Sequence, residues 1–152
     1  YLGEGDPACH SARGKSKAKR VLWGPPGFAY VYLCMGASHC LNVVVEPEGR
    51  AGSVLFRAIE PIVGIEQIRL RRPRARKDTE LCGGPGRLCQ ALDIDVRLNG
   101  SDMTSEPLFV ASSEPKEVPM IGVSPRIGIS KAVDWPLRFY VTGNRFVSRA
   151  GS

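Results

Sequence analysis

Histidine is scarce in this chain of 152 residues, with His10 and His39 the two copies, which argues against a histidine-rich metal centre. The five cysteines, Cys9, Cys34, Cys40, Cys82 and Cys89, are odd in number and form no CxxC pair. That pattern speaks against a disulfide framework and a structural zinc site, and leaves reduced, mostly buried thiols of an intracellular protein as the expectation. No metal and no cofactor are expected. No run approaches the ~18 apolar residues that span a membrane. Nor does the N-terminus show a charged start, an apolar stretch and a small-residue cleavage site. An initiator methionine is missing too, since the sequence opens on Tyr1. The expectation is one domain over residues 1–152 with an N-terminal segment missing from it.

Acidic residues are the minority, 15 against 21 Lys and Arg, for a net charge of +6. Such a balance favours an acidic partner, and nucleic acid is the commonest. The positive charge gathers in two clusters. One holds Arg13, Lys15, Lys17, Lys19 and Arg20, and the other Arg69, Arg71, Arg72, Arg74, Arg76 and Lys77. Either can be a phosphate-contacting face or a solvated surface.

Hydrophobic residues make up 43%, enough for a core, and 17 Gly with 12 Pro announce many turns. Tyr1 to Arg20 reads as irregular and polar. After the WGPPG turn at Trp23–Gly27, Phe28 to Met35 (FAYVYLCM) reads as a strand. Its alternation places Tyr30 and Tyr32 on one face and Val31 and Leu33 on the other. His39 to Glu46 and Ser53 to Ile59 read as the next strands, and their short connections suit antiparallel pairing. Ile62 to Arg72 has a near-helical apolar period with a basic end, and Arg71 to Thr79 reads as an exposed loop. Gly83–Leu92 (GGPGRLCQAL) reads as a glycine-rich turn opening a short helix. That start can hold a phosphate or be an ordinary helix start with proline in its first turn. Leu108 to Ala111, Arg126 to Ile129 and Leu137 to Val141 read as short strands, and Ser112 to Pro119 as a polar loop. The sum is an α+β domain: a curved antiparallel sheet, a protruding β-hairpin and a few short helices.

Several blocks resemble, in order, the alkyladenine (3-methyladenine) DNA glycosylase family. They are YLGEGDPACHSARG at Tyr1–Gly14, WGPPGFAYVYLCMG followed by HCLNVVVEP, and then VLFRAIEP, GGPGRLCQAL, PRIGI and PLRFYVTGN. The resemblance implies base-excision repair: a monomeric enzyme that acts on double-stranded DNA in the nucleus or nucleoid, rotates a damaged purine out of the helix and hydrolyses its N-glycosidic bond. It implies no metal. Tyr1, His10 and Tyr32 match its aromatic base pocket, where electron-rich rings attract a cationic alkylated purine. Ala8 matches a position whose backbone holds the base edge, and Asn42 the residue that crowds a guanine amino group. Arg57 matches an arginine near the attacking water and the flipped phosphate.

Met35 falls where the family often carries an intercalating tyrosine, and an apolar wedge must replace the lost stacking. Met35, Ala37, Ser38 and His39 depart from an aromatic-rich hairpin tip, which puts wedge strength in question. Lys15, Lys17, Lys19 and Arg87 are candidates for the DNA backbone, although SKAK at Ser16–Lys19 departs from the usual run. Glycoside hydrolysis needs a carboxylate to activate water. The resemblance puts that glutamate two residues before Tyr1, outside this chain, so binding without excision is expected of the chain itself. Glu4 and Asp6 match loop positions and are not substitutes. Rival readings are a non-catalytic nucleic-acid-binding domain of the same fold, an RNA- or formyl-transfer-related domain, and a small cysteine hydrolase. The last would use Cys9 beside His10, a poor dyad because adjacent side chains point apart.

Overall fold

The computed structural model describes residues 1–112 and 118–148. Most of the expected loop Ser112 to Pro119 lies outside the described residues. The chain opens on three 3-10 turns, Gly3–Gly5, His10–Arg13 and Lys17–Trp23, where irregular structure was expected. Strands β1 (Ala29–Cys34), β2 (Ser38–Val44) and β3 (Ser53–Leu55) follow, then helices α1 (Ile65–Arg71) and α2 (Pro85–Ala91). Strands β4 (Ile121–Ser124) and β5 (Arg138–Val141) close the chain. The α+β architecture is realised in two antiparallel sheets, a three-stranded β1-β2-β3 and a two-stranded β4-β5. Among the described residues no helix is long and apolar enough to cross a membrane.

Two expected strands are absent. Leu108–Ala111 pairs with no strand, and Arg126–Ile129 lies in the loop after β4. The strand of that region is instead β4, IGVS, whose Gly122 faces Tyr140 so closely that a Cβ would lie 2.6 Å from its ring.

Alternation along β1 and β2 gives the larger sheet two different faces. Ala29, Val31 and Leu41 point one way and pack with Leu88 and Cys89 of α2, plus Ile94 and Met103. Tyr30 and Val44 point the other way and pack with Leu22, Trp23 and Ala51, with Tyr32 alongside. A third cluster, Ile68, Leu81, Cys82 and Ala91, joins α1 to α2. Helix α2 starts on Pro85 at its first position, where the lost N–H costs nothing. It lies tight on the hairpin, since a Cβ at Gly86 would sit 2.7 Å from that of Ser38.

The second basic cluster is divided: Arg74, Arg76 and Lys77 are exposed in the expected loop, while Arg69 and Arg71 lie on α1 and Arg72 at its end. Arg69 pairs with Asp78. Arg71 donates to the Ala91 carbonyl, and Arg72 donates to Gln90 and to the Glu80 carbonyl. These bonds stitch the end of α1 to α2. All five cysteines are free thiols, and four of them are buried.

Leu88 is 1% exposed at the centre of the α2–sheet contact, whereas Leu70 on α1 is 73% exposed. Leu88→Ala is expected to destabilise by about 2–5 kcal/mol in urea unfolding, and Leu70→Ala by less than about 0.5 kcal/mol. Equal losses would contradict this packing.

Candidate active site

The tyrosine face of the sheet is covered by the N-terminal turns, and a cavity of about 30 Å³ remains between them. It is lined by Tyr1, Ala8, Cys9, His10, Leu22, Tyr30, Tyr32, Asn42 and Ser53. Five residues singled out in the sequence, Tyr1, Ala8, His10, Tyr32 and Asn42, are therefore brought together from three separate stretches. β1 and β2 deliver Tyr30, Tyr32 and Asn42, and Tyr30 pairs with Asn42 in register. Tyr1 is held by an exchange of bonds with β3. Its nitrogen donates to the Ser53 carbonyl at 2.9 Å, and Ser53 N–H donates back at 3.1 Å, the signature of an antiparallel pair. Gly3 lets the chain pass over Ala51, because with φ at +81° any Cβ would meet the Ala51 carbonyl at 2.1 Å.

The rings are packed on one another. His10 meets Tyr32 edge-on at 4.4 Å between centroids and Tyr30 at 6.0 Å, and its Nδ1 is 2.9 Å from the Tyr30 hydroxyl. A ring stacked between two others needs them roughly 7 Å apart, twice a van der Waals contact. In this state the space holds about one water molecule. Burial first, then Lys19 and Arg13, lower the His10 pKa and favour the neutral ring. Burial pushes the Tyr30 hydroxyl up to about 12 and also raises Tyr32. Asn42 is buried, and its Nδ2 donates to the Tyr30 carbonyl at 3.3 Å.

No carboxylate lines this cavity. Asp6, fully buried, accepts from the Leu2 and Ala8 N–H groups at 3.3 and 3.0 Å and from both terminal nitrogens of Arg126. Burial raises its pKa, but the Arg126 hydrogen bonds and the two amides outweigh that and hold it below the usual carboxylate range. Glu4 accepts from the Trp23 indole. Among the described residues no cluster of three His, Cys, Asp or Glu could hold a metal ion. Cys9 accepts from Ser11, and His10 is engaged with Tyr30, so the two adjacent side chains have different partners.

The family model for methylpurine-DNA glycosylase matches residues 1–145. The chain belongs to the methylpurine-DNA glycosylase family. Relatives named "Putative 3-methyladenine DNA glycosylase" include one from Carboxydothermus hydrogenoformans, 46% identical over 147 residues, covering 96% of this chain and 76% of the relative. One from Methanoculleus marisnigri is 47% identical over 152 residues, covering 98% and 78%. One from Chlorobaculum parvum is 43% identical over 148 residues, covering 97% and 70%.

In this glycosylase-family chain Arg57 stands apart from the aromatic cavity. It lines a neighbouring cleft of about 700 Å³, between the β3 edge and the C-terminal strands, which the cavity meets at Tyr1 and Ser53. Its Nη1 donates to the Ile127 carbonyl at 2.9 Å. Met35 is 94% exposed at the hairpin tip, with φ at +48° where a side chain is rarely tolerated. The lysines differ among themselves. Lys19 donates to the His10 and Gly14 carbonyls, and the Lys15 ammonium lies 5.5 Å from the Trp23 ring centroid. Lys17 and Arg87 are exposed, the latter on α2 next to Gly86. Tyr30, Leu22 and Ser53 were given no site role in the sequence. Alternation with Tyr32 was a signal for Tyr30. Nothing local pointed to the pairing of Asp6 with Arg126, 120 positions away.

Asp6→Asn strands a buried Arg126 and is expected to cost about 3–5 kcal/mol at pH 7. Folded Asp6 titrates below an unfolded aspartate, near 3.9. Its contribution is therefore full above about pH 5 and disappears as pH falls through the folded value. Urea unfolding of wild type and variant should converge toward pH 2, and a constant gap over that range would contradict the pairing.

Proposed function

We propose that this chain is the base-recognising body of a DNA glycosylase acting in base excision repair, which everts alkylated or deaminated purines from duplex DNA and hydrolyses the N-glycosidic bond. The observation that carries the reading is the convergence of Tyr1, His10, Tyr32 and Asn42 on one cavity, on a sheet whose hairpin ends in an exposed, conformationally strained Met35. An electron-poor purine stacks on tyrosine faces more strongly than an intact base does. Entry requires the His10 ring to swing off Tyr32, so the lesion opens its own slot. The Tyr30 phenol stays protonated and donates to Nδ1 of neutral His10, which leaves Nε2–H as a donor to the base edge. Ala8 offers its backbone to that edge, and Asn42 crowds a guanine amino group. Met35 fills the gap left in the duplex, while Lys15, Lys17, Lys19 and Arg87 face the phosphates.

Arg57 serves the flipped phosphate and the attacking water. The general base is a carboxylate from residues preceding Tyr1 in the full-length protein. The Tyr1–Ser53 pairing supports this. A residue two places ahead of Tyr1 in an extended chain falls beside Leu55, on the same face as Tyr1 and toward the cleft that holds Arg57. The reaction is plain hydrolysis by a monomer, without metal or covalent intermediate, and takes place where the cell keeps its DNA.

Full-length protein is expected to release 3-methyladenine from alkylated duplex, and the 152-residue chain to bind a lesion duplex without releasing base. In the full-length protein Tyr32→Ala removes one stacking face, worth about 1–3 kcal/mol, or roughly 5- to 150-fold in excision at subsaturating DNA. Release by the 152-residue chain would overturn the placement of the base. Lesion binding with no release by the full-length protein would favour a non-catalytic binding domain.

A further inference from the structure

The pocket wall built from Tyr1 and Ala8 is tied to the far end of the chain by one guanidinium. Arg126, in the loop after β4, has a side chain 6% exposed and forms a two-pronged ion pair with fully buried Asp6. Its central carbon lies 5.0 Å from the Tyr1 ring centroid and 5.9 Å from that of Trp135. Asp6 passes the constraint on, because the same carboxylate accepts the N–H groups of Leu2 and Ala8. One guanidinium thus lies over an aromatic ring and, through Asp6, holds a backbone segment. Its third donor nitrogen, Nε, is buried and meets no acceptor among the described residues. Buried orphan donors are rare, since they carry an uncompensated desolvation cost.

We propose that Arg126 is a positioning residue for base capture: it holds the Tyr1 ring and the Ala8 backbone at the angle that receives an everted purine. This rests on the glycosylase reading above. Lysine at this position keeps the charge and can keep one contact with Asp6. It loses the two-pronged contact with Asp6 and the guanidinium over Tyr1.

The test uses the full-length protein, its Arg126→Lys and Tyr1→Ala variants and the double variant, with single-turnover excision from a lesion duplex and thermal melting measured for each. Arg126→Lys is expected to excise about 10- to 100-fold more slowly, with its melting temperature close to wild type. The double variant is expected to lose less than the product of the two single losses, because part of what Arg126 does passes through the Tyr1 ring and part through the Ala8 backbone. Unchanged excision by Arg126→Lys, or losses that multiply in the double variant, would overturn the proposal. If Arg126→Lys fails to fold, the pair Asp6→Asn with Arg126→Gln restores a neutral hydrogen-bonded contact. Excision recovered to the wild-type rate by that pair would likewise overturn it, since the flat cation is then dispensable. Wild-type protein without excision would instead sink the glycosylase reading, which keeps the two failures apart.

Discussion

Across β1 and β2, Tyr30 stands opposite Asn42 and Tyr32 opposite Cys40, and every part of the pocket depends on that register. Side chains alternate with period two, so a slip of β1 by one residue would turn its tyrosines toward α2 and its Val31 toward the N-terminal turns. What prevents the slip is the opposite face. Ala29, Val31 and Leu41 are nearly inaccessible and packed with Leu88 and Cys89. The same burial that stabilises the domain therefore aims the aromatic rings. Core packing and cavity lining are two sides of one sheet, and the cavity needs no separate scaffold.

The other half of the pocket is irregular chain, and irregular chain needs anchors. Tyr1 is held by its exchange with Ser53, Gly3 by close approach to Ala51, Trp23 by Glu4, and the His10 turn by Lys19. The Asp6–Arg126 pair binds that cover to the C-terminal region. A burial-lowered histidine and burial-raised phenols follow from the same enclosure. They leave the cavity lined by uncharged groups suited to stacking and hydrogen bonding rather than to proton abstraction.

The hairpin was legible because FAYVYLCM alternates and its ends carry turn residues, so the shared face of Tyr30 and Tyr32 followed directly. Helices α1 and α2 were legible from an apolar period and from a proline at a helix start, with ends shifted by a few residues. The 3-10 turns over residues 3–23 were not legible. Short polar segments have no period, and theirs is set by bonds to distant groups. β4 was missed while PRIGI was read as strand, because both are short and only the partner, β5, decides which of them pairs. Tyr1, Ala8, His10, Tyr32 and Asn42 were named from a family resemblance rather than from spacing. Tyr30 was placed on the Tyr32 face but given no role, although its hydroxyl meets His10.

The closed arrangement of His10 against Tyr32 makes the account specific, because a purine cannot enter without parting them. The most direct measurement is a crystal structure of this chain bound to a duplex carrying an alkylated purine. The account predicts the base outside the helix and stacked on Tyr1 and Tyr32. The His10–Tyr32 centroid separation should have grown beyond the 4.4 Å of the closed state. A lesion still stacked within the duplex, or bound elsewhere on the surface with His10 and Tyr32 in contact, would contradict it.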